Sequence, residues 1–269
     1  MIKLQIIFDF NQTAAFNMAA DQYLLSKVHT SDTIYLRFYT WKHPSITLGY
    51  MQQPSVTLRL DLCKADMVDW IRRPTGGRAV LHKCDLTYSC IFPKTISFLG
   101  DTVKESYAAI TSCLKAGFNN LGIHCSTHDS YDELLAVKRE VKLPCFLAPN
   151  RDEIMVDGRK LVGSAQKRTT LGVLQHGSIP ISSGFADLPH YLTISADEQR
   201  KQRELLLSKS IWIHAINDSL SHIQLAESLA DGFINNWKLL LCKDTWSTEE
   251  LDSIHKLAES EKFISQWMK

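Results

Sequence analysis

Two runs of this sequence, 71–90 and 145–179, consist of short β-prone segments separated by turns, so the chain must build strands at both places. In the first run, an arginine pair leads into Pro74-Thr75-Gly76-Gly77, and an apolar segment resumes two residues later. That order predicts a strand, a tight turn and a second strand. Adjacent glycines let the backbone approach a ligand closely, and neighbouring positive charges suit an anion. The charges are those of Arg72, Arg73 and Arg78. An ordinary hairpin turn with solvated arginines is the alternative.

The second run carries two turn signals, Asp157-Gly158 and Leu171-Gly172. Asp-Gly is a strong hairpin signal, so the segments on either side of these turns predict an antiparallel meander. The three segments are 154–156, 159–166 and 173–180.

Helical spacing of apolar residues appears elsewhere in the chain, after Thr13, from Asp101 to Asn120 and from Asp197 onward. Thr13 is expected to cap the first of these helices, and Ser247-Thr248-Glu249-Glu250 has the N-cap signature of a last helix. A helix is also expected over 56–65, and the charged segment 128–142 is expected to lie at the surface. No linker or change of composition divides the sequence. We therefore expect an α+β fold, with mixed or antiparallel sheets flanked by helices, formed by a single domain of residues 1–269 whose part from about 195 to 269 is mainly helical.

Charge and hydropathy exclude several classes of protein. The 30 basic and 29 acidic residues leave a net charge of +1, which gives no reason to expect nucleic-acid binding. No apolar run reaches the roughly 18 residues that span a bilayer, and the first residues do not resemble an export signal. The 7 cysteines are widely spaced and offer no paired metal ligands, and Cys90 and Cys113, which lie in apolar patterns, are expected to pack as small hydrophobes. These features predict a cytoplasmic protein with reduced thiols, no metal site and no membrane association.

Several blocks, in one collinear order, resemble the lipoate-protein ligase and octanoyltransferase family. This family shares the cofactor-transferase fold with the biotin protein ligases, so the resemblance implies that fold. The strongest block is Arg72-Arg73-Pro74-Thr75-Gly76-Gly77-Arg78-Ala79-Val80-Leu81-His82. The others are 15–21, 37–41, 48–50, 86–89, 158–166 and 174–178.

Cys145 and Lys160 are the candidate catalytic residues. Cys145 lies on a proline-restricted segment, where it is either an exposed nucleophile or a buried structural thiol. The pattern Cys-Phe-x-Ala-Pro, followed by Gly-Arg-Lys-x-x-Gly-Ser-Ala-Gln, is similar to the branch that transfers octanoyl groups through an acyl-cysteine. In that branch Lys160 would stabilise the thiolate, and Lys160→Ala would slow acylation without disturbing the fold. Without the resemblance, Lys160 would be read as the solvated tip of a hairpin.

The resemblance also implies a set of residues that bind the acyl group or cofactor. They are Arg73, Thr75, Gly76, Gly77, Arg78, His82, Gly163, Ser164, Ala165, His176 and Gly177. Each histidine lies beside apolar residues and could instead be a hydrogen-bonded core histidine. The family commonly has an acidic residue directly after the first-loop histidine, whereas here Lys83-Cys84 precedes Asp85. Any role copied to an aspartate there is therefore in doubt.

Two mechanisms fit the resemblance. In the first, an octanoyl group passes from octanoyl-acyl-carrier protein to Cys145, then to a lysine of a lipoyl-domain protein such as glycine cleavage H protein or a 2-oxoacid dehydrogenase acyltransferase subunit, and no cofactor is needed. In the second, a lipoate-protein ligase uses ATP and Mg²⁺ to form an acyl-adenylate on the glycine loop. Thr-Gly-Gly-Arg at 75–78 favours the transferase. A non-enzymatic carrier-binding module is a third possibility, which the presence of Cys145 and Lys160 disfavours.

The expected site is a narrow apolar tunnel with a basic mouth, in which the Gly76-Gly77 turn faces Lys160 across one pocket. Neighbouring residues of a strand point to opposite faces, so Arg72 and Arg73 should diverge.

Overall fold

The computed structural model describes residues 2–127, 153–242 and 245–268. Cys145 and the charged segment 128–142, expected at the surface, lie outside these residues. The strands are β1 (Lys3–Gln12), β2 (Thr33–Trp41), β3 (Ser45–Leu48), β4 (Asp69–Arg72), β5 (Val80–His82), β6 (Asp85–Phe92), β7 (Ser126–Thr127), β8 (Ile154–Val156), β9 (Arg159–Lys160), β10 (Gly163–Arg168), β11 (Val173–Pro180) and β12 (Leu240–Leu241). The α-helices are α1 (Ala14–Lys27), α2 (Pro54–Thr57), α3 (Leu60–Ala65), α4 (Val103–Asn120), α5 (Ala196–Lys209), α6 (His222–Trp237), α7 (Thr248–Glu259) and α8 (Glu261–Trp267). Short 3₁₀ helices cover Val28–Thr30, Ser97–Leu99, Ser183–Tyr191 and Ile213–Ala215.

The main sheet is mixed and has the strand order β10-β11-β6-β2-β1-β12. β1 runs parallel to β2 and β12, and the remaining pairs are antiparallel. Alternation along β2 explains how both faces are buried. Ile34, Leu36 and Phe38 face the cluster that includes α4 and α6, whereas Tyr35 and Tyr39 face α1 and the last helices. The predicted α+β fold with helices flanking a mixed sheet is confirmed.

A second, three-stranded sheet places the glycine loop. Its order is β4-β3-β5, with β3 parallel to β4 and antiparallel to β5. Residues 73–79 therefore connect the two outer strands across the end of β3, and the alternative of an ordinary hairpin turn is wrong. The helix expected over 56–65 is two helices, because Leu58 is extended and forms a β-bridge with Leu192.

The predicted meander is divided between two sheets. The hairpin at Asp157-Gly158 is confirmed, and both residues have positive φ, 50° and 71°, as a type I′ turn requires. However, β8 and β9 pair with β7 in a small sheet, whereas β10 and β11 belong to the main sheet. The expected strand 159–166 is interrupted because the backbone N–H groups of Leu161 and Val162 both turn back to the carbonyl of Ile154.

Local signals set the helix starts. Thr13 caps α1 by accepting a hydrogen bond from the Phe16 N–H, as predicted. Ser247 caps α7 in a reciprocal capping box, which confirms the expected N-terminus there. Cys90 and Cys113 are fully buried, as expected of thiols that pack as small hydrophobes. Among residues 2–127, 153–242 and 245–268, no helix is long and apolar enough to cross a membrane.

Candidate functional site

Arg73 is buried and supports the glycine loop from the inside. Its Nη2 donates to the carbonyl oxygens of Gly76 and Arg78, each at 2.8 Å. Its Nη1 donates to the carbonyl oxygen of Thr47 at 3.0 Å. Because the N–H of a trans peptide points opposite to its C=O, the amide that follows each inward carbonyl is directed away from the guanidinium. Arg73 therefore gives the loop its shape, and its Nη2 serves the two loop carbonyls.

Two glycines of the site are required for different reasons. Gly49 packs on the loop, and a Cβ there would lie 2.0 Å from the carbonyl oxygen of Gly77. Gly77 itself has φ 94°, a conformation that side chains disfavour. Gly76 is different, because a Cβ built on it meets no described atom within 4 Å. Among the described residues, the space beside the Gly76 Cα is therefore open.

The predicted divergence of Arg72 and Arg73 is confirmed. Arg72 is half-buried and turns toward α8, where its Nη2 donates to the carbonyl oxygen of Gln266. Arg78 is exposed. A further cation lies near the loop, since the Lys167 Nζ sits 4.8 Å from the ring centroid of Tyr50, whose N–H donates to the Thr75 carbonyl.

His176 lies on β11 and joins the loop to a buried carboxylate. Its Nε2 is 2.7 Å from Thr75 Oγ1, and its Nδ1 is 3.6 Å from Asp21 Oδ2. Burial lowers the pKa of His176 and outweighs the opposing effect of Asp21. Burial therefore favours the neutral form of this imidazole.

Asp21 also accepts hydrogen bonds from Arg37 and Ser89. Burial alone would raise the pKa of Asp21, but the positive charge of Arg37, with His176 and Ser89, more than offsets burial and holds the pKa below its ordinary value. Arg37 is fully buried and pairs with Asp9 as well. Both Asp21 and Arg37 lie within the family blocks, but neither is among the site residues predicted from the sequence. A charged residue within an apolar strand or an Ala-rich helix was the signal available, because charges are rarely buried unless paired.

His82 is the second buried histidine, and its ring stacks on Trp41 with centroids 4.1 Å apart. Its Nε2 is 2.9 Å from Thr47 Oγ1, and its Nδ1 is 2.8 Å from Asp85 Oδ2. Cys84 adopts a positive φ of 60° between them, which turns the chain so that Asp85 reaches back to the ring. Asp85 is thus the carboxylate partner of His82 despite the insertion of Lys83-Cys84. Sequence reasoning had left that role in doubt.

Gly177 of β11 lies between Ser164 of β10 and Tyr88 of β6, and its lack of a side chain lets those two side chains meet across β11. In register, Ser164 pairs with Gly177 and Ala165 pairs with His176. A Cβ on Gly177 would lie 2.6 Å from both Ser164 Oγ and Tyr88 Cε1, so only glycine fits there. Ser164 Oγ is 2.8 Å from the Tyr88 hydroxyl, and burial raises the pKa of Tyr88 to about 12. The structure therefore brings the small residues of β10 and β11 together with His176 and Thr75.

Lys160 is buried, which excludes the alternative of a solvated hairpin tip. Its Nζ donates to Glu153 Oε1 at 2.6 Å. The loop contacts β3 and β11, whereas Lys160 lies in β9 and its carbonyl oxygen accepts from the Ile211 N–H. Their meeting across one pocket, the apolar tunnel and the position of Cys145 remain predictions.

A cleft of about 480 Å³ lies between the 3₁₀ helix Ser183–Tyr191 and α5. It is lined mainly by polar side chains, among them Asp66, Arg200 and Arg203, and is not the expected apolar tunnel. Over the described ranges, no group of three His, Cys, Asp or Glu side chains is placed to hold a metal ion.

Sequence comparison places the chain in a known family. Residues 13–234 match the family described as the lipoyl protein ligase A/B catalytic domain. The octanoyltransferase LipM of Lysinibacillus sphaericus is 32% identical over 259 residues, which cover 94% of both chains. The octanoyltransferase LipM of Bacillus cereus is 34% identical over 263 residues, which cover 94% of this chain and 93% of the relative. These relatives are transferases, so the predicted enzyme class is confirmed.

Solved structures show the same fold. A lipoate-protein ligase A bound with ATP superposes with a TM-score of 0.74 at 19% identity, covering 97% of each chain. A bipartite lipoate-protein ligase from Thermoplasma acidophilum, studied with its E2 lipoyl domain, gives a TM-score of 0.77 at 17% identity, covering 97% of this chain and 95% of that one. The resemblance inferred from the glycine loop is confirmed, and the chain belongs to the lipoyl protein ligase A/B catalytic-domain family.

Proposed function

We propose that this protein is an octanoyltransferase of protein lipoylation, which moves an octanoyl group from octanoyl-acyl-carrier protein to a lipoyl-domain lysine through a thioester on Cys145. The observation that carries the proposal is similarity to octanoyltransferases along 94% of the chain. The buried Lys160 supports it, because a lysine held in place by Glu153 is a fixed positive charge.

The reaction has two halves. Cys145 loses its proton, and its thiolate attacks the donor thioester carbonyl. The carbon–sulfur bond to the carrier breaks, and the released carrier thiolate takes up the proton that Cys145 lost and leaves as a thiol. The neutral ε-amine of the acceptor lysine then attacks the acyl-enzyme. An amide bond forms, the Cys145–acyl bond breaks, and the amine proton returns to the thiolate. A free thiol with a pKa near 8.5 is mostly protonated at pH 7, and a nearby ammonium such as that of Lys160 increases the thiolate fraction.

Three other thiols of the chain suit this role poorly. Burial raises the pKa of Cys113 to about 12 and that of Cys90 well above its ordinary value. Burial likewise raises the pKa of Cys125 to about 12. Cys84 is exposed and provides the matched control for Cys145.

Intact-mass spectrometry after incubation with octanoyl-acyl-carrier protein, without ATP, tests the proposal. We expect one octanoyl adduct on the wild type and on Cys84→Ser, none on Cys145→Ala, and transfer of the adduct when a lipoyl domain is added. Full transfer by Cys145→Ala would remove the thioester from the mechanism.

The ATP-dependent ligase is the second candidate, favoured by the fold it shares with lipoate-protein ligase A. It predicts that lipoate attachment needs ATP and Mg²⁺ and does not need Cys145. Wild-type activity only with lipoate plus ATP would establish the ligase and overturn the transferase.

A further inference from the structure

Arg73 lies between two arms of buried side chains that have the same chemical order. Its Nε donates to Thr75 Oγ1 at 3.1 Å, and its Nη1 lies 3.3 Å from Thr47 Oγ1. Each threonine hydroxyl contacts the Nε2 of a histidine, and each histidine directs its Nδ1 toward an aspartate. The His176 arm is Thr75, His176 and Asp21, and the His82 arm is Thr47, His82 and Asp85.

The available donors and acceptors determine which atom of each hydrogen bond in the two arms carries the proton. Arginine can only donate, so both hydroxyl oxygens act as acceptors toward Arg73. Among the side chains of the described ranges, the only other partner of each hydroxyl is a histidine Nε2. A buried hydroxyl proton without an acceptor is costly, so each threonine donates to its histidine. Each Nε2 then carries the lone pair, and each Nδ1 carries the proton that faces a carboxylate.

We propose that Arg73 is a positioning residue that orients the Thr75 and Thr47 hydroxyls outward and thereby fixes His176 and His82 as Nδ1–H tautomers around the glycine loop. The same guanidinium turns the carbonyls of Gly76 and Arg78 inward. The Arg73 guanidinium therefore determines both the direction of the backbone amides in the loop and which ring nitrogen of each histidine carries the proton. The catalytic part of this inference rests on the proposed octanoyl transfer.

The position of Arg73 requires an arginine, and another cationic side chain could not make the same set of hydrogen bonds. A lysine ammonium would keep the positive charge, but it has three donors at a single point and cannot reach two hydroxyls and three carbonyls at once. Arg73→Lys therefore separates the geometry of the fork from its charge. Arg168→Lys is the matched control, because Arg168 also donates to a carbonyl and a hydroxyl, those of Thr102 and Ser106, outside the two arms.

Nitrogen-15 NMR of histidine-labelled protein reports which ring nitrogen of each imidazole carries a proton, and it does not depend on activity. In the wild type we expect Nδ1–H tautomers for both His176 and His82. Thr75→Val should release His176 into a mixture of tautomers and leave His82 unchanged, whereas Thr47→Val should do the reverse. Thr75→Ser should restore the His176 tautomer.

The opposite results are equally specific. An Nε2–H tautomer at either histidine in the wild type overturns the proposal, and so does a Thr75→Val variant in which neither ring or both rings change. The threonine variants keep the test decisive even where Arg73→Lys fails to fold, since each removes only one hydroxyl.

Kinetics then test the positioning role. Displacing a reactive geometry by about 1 Å can lower a rate about 10²-fold, so Arg73→Lys should lower kcat for octanoyl transfer by that order, with a smaller change in KM, while Arg168→Lys retains wild-type kcat. Arg73→Lys with altered tautomers and full kcat overturns the positioning role. A wild type that transfers no octanoyl group overturns the proposed function alone, because the NMR result stands without it.

Discussion

Substituting Gly49 by alanine tests the contact that holds the glycine loop. The backbone of Gly49 has no positive φ, so the cost of the substitution is steric. The new Cβ would lie 2.0 Å from the carbonyl oxygen and 2.7 Å from the carbonyl carbon of Gly77. Unstrained carbon–oxygen contacts are about 3.3 Å or longer, so the loop must move by more than about 1 Å.

That movement pulls the loop off Arg73. Overpacking costs about 1–3 kcal/mol, and loosening hydrogen bonds from a charged donor costs about 1.5–3 kcal/mol each, against a gain of about 0.4–1 kcal/mol from the stiffer unfolded chain. We expect Gly49→Ala to lower the free energy of unfolding by about 3 kcal/mol. For a chain of this size, that corresponds to a fall of about 6–12 °C in Tm.

Guanidinium denaturation measures the loss, with the slope of the transition checked against the wild type. Gly76→Ala is the matched control, because no described atom lies within 4 Å of its added Cβ. Its free energy of unfolding should stay within about 0.5 kcal/mol of the wild type. A Gly49→Ala protein as stable as this control would refute the contact on which the reasoning depends. If a ligand approaches Gly76, Gly76→Ala should nevertheless transfer octanoyl groups more slowly.

Three further predictions follow from buried ionisable groups. Lys160→Ala should destabilise the fold by about 3–5 kcal/mol in a denaturation assay, because it removes the ammonium that pairs with buried Glu153. The double variant Lys160→Met, Glu153→Leu should recover most of the lost free energy of unfolding, and no recovery would contradict this account. Tyr88, whose pKa burial raises to about 12, should keep its proton when the unfolded chain loses it, so its contribution to stability should disappear as pH rises from about 10 to about 12. Ultraviolet titration of the wild type against Tyr88→Phe checks this, and ionisation near pH 10 would exclude it. Arg37 lowers the pKa of Asp21 despite burial. Asp21 should therefore stabilise the fold at pH values above its ordinary pKa, and this stabilisation should be lost as pH falls through the lower pKa of the folded state. Asp21→Asn should remove that acid slope, and an unchanged slope would contradict it.

The expectation that Lys160→Ala leaves the fold intact therefore differs from what the structure implies. The sequence shows a lysine after a hairpin turn, but it does not show that the turn folds back on buried Glu153. Exposure of a long charged side chain depends on packing from distant segments, which has no local signature in the chain.

Elements set by local rules were predictable. β11 has the predicted bounds, because the Leu171-Gly172 turn signal precedes its first residue and a proline ends it. Thr13 and Ser247 cap helices as expected, because N-capping requires only the residue and the helix that follows it.

Features that depend on long-range pairing were not predictable. The insertion of β3 between β4 and β5 turns an apparent hairpin into a crossing loop, and nothing in 71–82 indicates it. The same applies to Asp85, which reaches His82 only because Cys84 adopts a left-handed conformation. The resemblance identified the loop residues, but their hydrogen-bond partners came from the fold.

The crossing of β3 by the glycine loop limits how its length can vary. Two strand spacings of about 4.8 Å separate β4 from β5, a span that about three extended residues can bridge. The loop uses the seven residues from 73 to 79, so most of its length goes into curvature. Shortened loops should therefore still be able to connect β4 to β5 but should lose this curvature. Insertions at exposed Gly76 should keep both ends of the loop in place and widen its curve, so loop length is a means of changing the size of ligand that the loop can surround.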